Sequence, residues 1–133
     1  TAPTYRDVLQ DISHFLSRRL AEVSSVGIDL DRVIIDPGFG FGKTAEQNFE
    51  LLARLEVLCN QDQPILVGLS RKSMISNVLD RPPEQRMVAS VALALIAVER
   101  GARIVRVHDV AATFDALSMW QTTRHALSQS EPS

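Results

Sequence analysis

The chain is poor in several features that mark whole classes of protein. It has one cysteine in 133 residues, which excludes a disulfide framework. Aromatic residues make up 5% of the chain, and its 14 basic and 16 acidic residues include no basic run. Because stacking platforms and a cationic patch are both scarce, the composition disfavours nucleic-acid binding.

The chain also lacks a long hydrophobic run. Its longest apolar stretch, MVASVALALIAV at residues 87–98, is too short to span a bilayer and predicts a buried helix. The first residues, TAPTYRDV, show no secretory signal pattern, so we expect a cytoplasmic protein that binds no membrane. Cys59 ends a helical apolar pattern and is expected to be a small buried residue rather than a nucleophile.

An alternation of helical and strand patterns is present instead. Apolar residues recur at helical spacing from Tyr5 to Val23, which predicts an amphipathic helix capped by Thr4 and ended by Gly27. Each of three short β-prone runs then precedes a helical pattern. These runs are RVIID (32–36), PILVGL (64–69) and ARIVRVHD (102–109).

Helix boundaries are signalled between these runs. Thr44 and Gln47 bracket a T-A-E-Q capping box, RPPE begins a helix that runs to Gly101, and Asp109 caps the last helix. One helix followed by three βα units predicts an α/β domain with parallel strands. Such strands belong to an open doubly wound sheet or to a (β/α)8 barrel, and both place ligands at the carboxyl ends of the strands.

Ionisable residues collect at these predicted strand ends. They are Asp36 after the first strand, Lys72 after the second, and Arg106 and His108 in the third. Taken singly, Asp36 begins a common turn, while Lys72 and His108 are ordinary solvated or hydrogen-bonding residues. A buried, unpaired guanidinium is costly, so Arg106 is expected to face an anion or a flat partner. Together on one rim, the four residues favour a functional site.

The period of two along the third strand separates its side chains. It places Ile104, Arg106 and His108 on one face and Val105 and Val107 on the other. Helices must cover one face, and the valines suit them. Arg106 and His108 are therefore expected to point into the site.

Glycines alternate with aromatic rings in VIIDPGFGFGKT, residues 33–44. A phosphate-binding P-loop would require glycine where Pro37 stands, and the spacing of Gly38, Gly40 and Gly42 does not match the dinucleotide fingerprint. The interleaved rings better suit a loop that closes over a flat aromatic ligand. Asp36 would then accept hydrogen bonds from the N–H groups of that ligand's ring.

Three segments in this order, DPGFGFGK, LVGLSRKS and RVHDV, resemble the C-terminal part of bacterial dihydropteroate synthase, the folate-pathway enzyme inhibited by sulfonamides. The resemblance implies a (β/α)8 TIM barrel, of which residues 1–133 would form an incomplete pterin-binding domain made of helix 5 and βα units 6 to 8. It also implies condensation of (7,8-dihydropterin-6-yl)methyl diphosphate with p-aminobenzoate, giving 7,8-dihydropteroate and pyrophosphate.

The resemblance also implies roles for individual residues. Asp36 would accept hydrogen bonds from the pterin, and Lys72 would donate to the opposite edge of the ring. Arg106 would lie against the face of the pterin and, with His108, would hold the diphosphate. Lys72, Arg106 and His108 are the catalytic candidates. The further substrate-binding candidates are Gly40 and Phe41 at the p-aminobenzoate pocket, Ser73 facing that substrate's carboxylate, Gly68 leaving room for the ring, and Val107.

Other strand ends of the family barrel precede the part that this chain resembles. In the family, those strand ends carry the asparagine that binds Mg²⁺, so we expect no metal ligand in this chain. We also expect a homodimer in the complete enzyme, and we expect this chain to be inactive on its own. A non-catalytic half-barrel that keeps only a pterin-binding or dimerising surface is the first alternative. A pterin-binding methyltransferase barrel is the second, although SRKS and RVHD suit a diphosphate that a methyl carrier lacks.

Overall fold

The structure is a computed structural model that describes residues 5–39, 43–58, 62–69 and 72–130. It is an α/β arrangement rich in helix. Its helices are α1 (Tyr5–Ser25), α2 (Ala45–Ala53), α3 (Leu55–Leu58), α4 (Lys72–Val78), α5 (Met87–Glu99) and α6 (Val110–Ser130), and its strands are β1 (Leu66–Gly68) and β2 (Ile104–Arg106). Short 3-10 turns lie at Leu30–Arg32 and Pro83–Gln85. Among the described residues, no helix combines the length and apolar character needed to cross a membrane.

Strand β1 lies at the centre of three parallel segments. On one side it pairs with β2, in a register that places Leu66 opposite Ile104 and Gly68 opposite Arg106. On the other side Ile35 forms a parallel bridge with Ile65. The N–H of Leu66 donates to the carbonyl of Ile35 at 2.8 Å. The predicted parallel order is therefore confirmed, and the three carboxyl ends lie at one edge.

The strands are shorter than the sequence patterns predict. The run at residues 32–36 contributes only the Ile35 bridge, and the other two runs give three residues of strand each. Pro37 has no N–H to donate, so regular pairing cannot continue past Asp36. The chain instead turns at Gly38, whose φ is +77°.

One face of the sheet is covered by helices and forms the core. From the sheet, Ile35, Ile65 and Val67 are almost fully buried there. Helix α2 packs against both α1 and α4, and α5 packs against α6 and both strands. Other buried members are Leu51, Leu52, Leu55, Leu58, Leu69, Met74, Leu93 and Ala97.

No described element covers the opposite face of the sheet. Ile34 is 52% exposed and Ile104 is 37% exposed. Arg106 and His108 are exposed as well, whereas Val105 and Val107 are half-buried. The predicted separation of the third strand into two faces is thus confirmed. An apolar sheet face left open is unusual for a finished domain.

The ends of the first two helices follow their sequence signals. Gly27 adopts φ +91° after α1, and its N–H donates to the carbonyl of Ser24 at 3.0 Å. Before α2, the N–H of Gln47 donates to the Thr44 hydroxyl and the N–H of Thr44 donates to the Gln47 side chain. The predicted stop at Gly27 and the capping box are both confirmed.

Two helix predictions need correction. The pattern from RPPE to Gly101 is interrupted, because a 3-10 turn at Pro83–Gln85 precedes α5. The α5 helix buries Leu93, Ala94 and Ala97 but leaves Val88 76% exposed. A sequence apolar on all sides does not reveal which face lacks a partner.

Candidate functional site

The candidate site lies at the carboxyl edge of the three parallel segments. Asp36 follows the Ile35 bridge, Gly68 ends β1 and Arg106 ends β2. His108 follows two residues later and is exposed. These four predicted residues share one edge of the sheet, as the strand-end argument requires.

Asp36 is held by the turn that follows it. Its Oδ1 accepts a hydrogen bond from the N–H of Gly38 at 2.9 Å. The side chain itself is exposed. A carboxylate accepts several hydrogen bonds through its two oxygens, so this bond leaves Asp36 capacity for a ligand with N–H donors.

Lys43 approaches the same turn from the other side of the glycine loop. Its Nζ donates to the carbonyl oxygen of Gly38 at 2.8 Å. Partial burial lowers the pKa of the Lys43 ammonium group from its usual 10.5, and the negative charge of Asp36 partly opposes this shift. Sequence reasoning did not assign this lysine a role. The sequence feature that could have drawn attention to Lys43 is its position between the glycines and the capping box.

Arg106 lies directly against Gly68. A Cβ atom placed on this glycine would come within 2.6 Å of the Nη2 atom of Arg106 and within 3.0 Å of its Cζ. The space above Gly68, which we expected a substrate ring to need, is therefore filled by the guanidinium. Arg106 is also exposed rather than buried, so the expected burial cost does not apply in this chain.

Val107 faces the helices. It is half-buried and lies beside a narrow gap between the sheet and α5, together with Ser90 and Ala94. Arg106 and His108, on either side of it, are on the open face. A substrate contact by Val107 stays a prediction.

The remaining predicted residues are less fully described. Lys72 and Ser73 are the first two residues of α4, the helix that follows β1. Gly40 and Phe41, and also Cys59, lie outside the described residues. Their assignments stay predictions.

Asn48 is a buried polar residue that the sequence analysis did not single out. It lies in α2 and its Nδ2 donates to the carbonyl of Thr44 at 3.0 Å. The bond pairs one donor of a side chain that has no exposed surface. It adds to the capping box in fixing the start of α2, directly after Lys43.

In the part of the chain that the structure describes, no three His, Cys, Asp or Glu residues are grouped to hold a metal ion. The chemistry that this edge offers comes from its own side chains: a carboxylate acceptor, a flat guanidinium and an imidazole. That combination suits an elongated ligand with a donor edge, a planar ring and an anionic tail.

Comparison with protein families gives a match over most of the chain. The sequence model of a family described as Pterin binding enzyme matches residues 1–108. Dihydropteroate synthase of Haemophilus influenzae is 52% identical over 124 residues, which cover 93% of this chain and 45% of that protein. Dihydropteroate synthase of Escherichia coli K12 is 42% identical over 125 residues, which cover 94% of this chain and 44% of that protein.

Solved structures show the same likeness. Xanthomonas albilineans dihydropteroate synthase in complex with 7,8-dihydropteroate superposes with a TM-score of 0.86 at 45% identity, covering 99% of this chain and 49% of that one. Yersinia pestis dihydropteroate synthase in a sulfonamide drug complex gives a TM-score of 0.87 at 44% identity, covering 94% and 46%. The chain thus spans less than half the length of these relatives.

Proposed function

The chain belongs to the family of pterin-binding enzymes, and on that premise we propose that it supplies part of the active site of a dihydropteroate synthase. In this proposal residues 1–133 are the C-terminal portion of a (β/α)8 barrel, comprising helix 5 and βα units 6 to 8. Parallel strands, helices on one sheet face and an open opposite face support that placement.

The observation that carries the proposal is the common edge of Asp36 and Arg106. Asp36 follows a segment on one side of β1, and Arg106 ends the strand on the other side. One exposed carboxylate and one exposed guanidinium therefore flank the end of the central strand. A pterin diphosphate has a matching order of groups, with ring N–H donors, a flat ring and an anionic diphosphate.

The proposed reaction transfers the pterin methylene group to an arylamine. The bond between the methylene carbon and the diphosphate oxygen breaks, the nitrogen of p-aminobenzoate bonds to that carbon, and the amine loses a proton. Asp36 holds the ring, while Arg106 and His108 bind the departing diphosphate. Cations placed where negative charge develops stabilise the transition state.

The other site residues keep the roles implied by the resemblance. Lys72 donates to the pterin, Ser73 faces the carboxylate of p-aminobenzoate, and Gly40 and Phe41 border the pocket of that substrate. Magnesium, where the complete enzyme uses it, would be bound by residues outside those described here. The enzyme is proposed to work as a homodimer in the cytoplasm.

A non-catalytic half-barrel is the second candidate function. The open sheet face with exposed Ile34 and Ile104 favours it, because the same surface would serve to bind another chain without any chemistry. The half-barrel would keep either a pterin-binding surface or only a dimerising one. Only the first predicts turnover when the rest of a barrel is supplied.

A hybrid enzyme separates the two candidates. In dihydropteroate synthase of H. influenzae, the matched segment of 124 residues is replaced by the aligned residues of this chain. We expect the hybrid to form dihydropteroate and one pyrophosphate per product from the two substrates, and the Asp36→Asn variant to lose pterin affinity and turnover. A hybrid that binds the pterin diphosphate but forms no dihydropteroate would support the non-catalytic half-barrel.

A further inference from the structure

Gly38 is the pivot of the turn after the first strand. Its N–H donates to the Asp36 carboxylate at 2.9 Å, and its carbonyl accepts from the Lys43 ammonium group at 2.8 Å. Its φ of +77° lies in the left-handed region that other residues rarely adopt. Gly38 is therefore held from both sides, by Asp36 at its N–H and by Lys43 at its C=O.

These contacts connect Lys43 to Asp36 through one residue. The Lys43 bond joins positions five residues apart, so it ties the two ends of the glycine loop together. The orientation of the Gly38 peptides then determines where the N–H points, and hence how the Asp36 carboxylate is turned. Lys43 is half-buried, and its ammonium group lies 2.8 Å from the Gly38 carbonyl.

We propose that Lys43 is a positioning residue that acts through Gly38 to hold the Asp36 carboxylate in the orientation that receives the pterin ring. The proposal rests on the proposed function, since Asp36 is taken as the acceptor for the ring. In this proposal Lys43 contacts the Gly38 carbonyl and not a reacting atom. Its effect is therefore specific to ligands that carry the pterin ring.

Two plainer explanations make different predictions. If Lys43 only supplied positive charge to the edge, its loss would weaken the binding of every anionic ligand to a similar degree. If it only stabilised the loop, its loss would lower the unfolding temperature and weaken all ligands together. The proposal requires a selective loss that depends on the presence of Asp36.

The test uses the hybrid enzyme and calorimetry with two probes, (7,8-dihydropterin-6-yl)methyl diphosphate and inorganic pyrophosphate. Lys43→Met keeps an unbranched apolar side chain that is one atom shorter, and removes the donor and the charge. We expect it to weaken binding of the pterin diphosphate about tenfold or more, because a bond from a charged group is lost. Pyrophosphate, which lacks the ring, should keep its affinity within about twofold.

A matched control and a double-mutant cycle complete the test. Arg19→Met removes an exposed cation that pairs with Glu22 on α1, and it should change neither affinity. In a hybrid that already carries Asp36→Asn, Lys43→Met should add little further loss for the pterin ligand. Residues that act through one another give such non-additive effects.

Three results would overturn the proposal: equal losses for both probes, unchanged pterin affinity, or full additivity with Asp36→Asn. Because binding is measured without p-aminobenzoate, the outcome does not depend on turnover. A hybrid that shows the selective Lys43 effect but makes no dihydropteroate would contradict the proposed synthase function alone. A folded hybrid that binds no pterin diphosphate would overturn both.

Discussion

At the scale of single residues, the site depends on two glycines that make room for charged side chains. Gly38 presents its N–H to Asp36 and its carbonyl to Lys43, and Gly68 lies beneath the Arg106 guanidinium. A Cβ at Gly38 would be strained by the positive φ, whereas a Cβ at Gly68 would require the end of the Arg106 side chain to move. The backbone thus determines where the ionisable groups lie.

Gly68→Ala should displace Arg106, because the added Cβ would come 2.6 Å from Nη2. In the hybrid enzyme we expect kcat/KM for the pterin diphosphate to fall by about tenfold, or about 1.4 kcal/mol. Gly27→Ala is the control, because a side chain at its φ of +91° would strain the backbone at a position away from this edge. The control should lower the unfolding temperature yet keep pterin affinity, and a Gly68→Ala enzyme with normal kinetics would contradict the packing argument.

Arg106→Lys should not be conservative. Lysine keeps a positive charge but cannot lie flat on Gly68 or against a ring. At saturating p-aminobenzoate, steady-state kinetics of the hybrid should show a loss of at least about tenfold in kcat/KM. Arg103→Lys, an exposed change just before β2, should leave the kinetics intact; unaltered kinetics for Arg106→Lys would exclude the stacking role.

Sequence reasoning located the strand-end residues but not their contacts. Asp36, Arg106 and His108 were found because parallel strands bring their carboxyl ends together. The role of Lys43 depends on a side-chain bond to a backbone carbonyl five residues away, which no periodicity reveals. The role of Gly68 depends on its register with Arg106, and register needs the paired strands.

At the scale of elements, local signals predicted helix ends well and helix faces poorly. The capping box of Thr44 and the end of α1 at Gly27 depend on hydrogen bonds between residues a few positions apart. Such bonds can be predicted from the local sequence. The exposed face of α5 depends instead on what packs against it, so an apolar sequence suggested full burial. The strand predicted at residues 32–36 is longer than the single bridge at Ile35, because strand length depends on pairing with a neighbouring segment.

Thr44→Ala should destabilise α2 without affecting substrate chemistry directly. The change removes the acceptor for the N–H of Gln47, and loss of such a cap costs about 1 kcal/mol of unfolding free energy. Urea denaturation of the hybrid measures it. Thr123→Ala in α6, where the hydroxyl bonds to the carbonyl of Met119, is the matched control with an expected change within about 0.5 kcal/mol. Equal effects for the two variants would contradict the cap assignment.

At the scale of the whole molecule, the open sheet face is the dominant feature. Helices cover one face, while Ile34, Ile104 and Arg106 share the other with no covering element among the described residues. The chain also spans about 45% of the length of its H. influenzae relative. An apolar face and sheet edges left open in this way favour association with another chain.

The chain alone should therefore self-associate and show negligible synthase activity. Sedimentation equilibrium should give more than a monomer, and Ile34→Glu should weaken the association by placing a charge on the open face. Val26→Glu is the control, because Val26 is 73% exposed after α1 and lies outside the sheet. A well-folded monomer would refute the association claim, and turnover by the isolated chain would refute its inactivity.

A crystal structure of the hybrid enzyme with bound (7,8-dihydropterin-6-yl)methyl diphosphate tests the central claim most directly. We predict ring nitrogen atoms about 3 Å from the Asp36 carboxylate, with the Arg106 guanidinium against Gly68 and close to both the ring and the diphosphate. His108 should contact the diphosphate from the same edge. A ligand bound elsewhere, or bound here with its ring away from Asp36, would contradict the assignment of this edge as the pterin site.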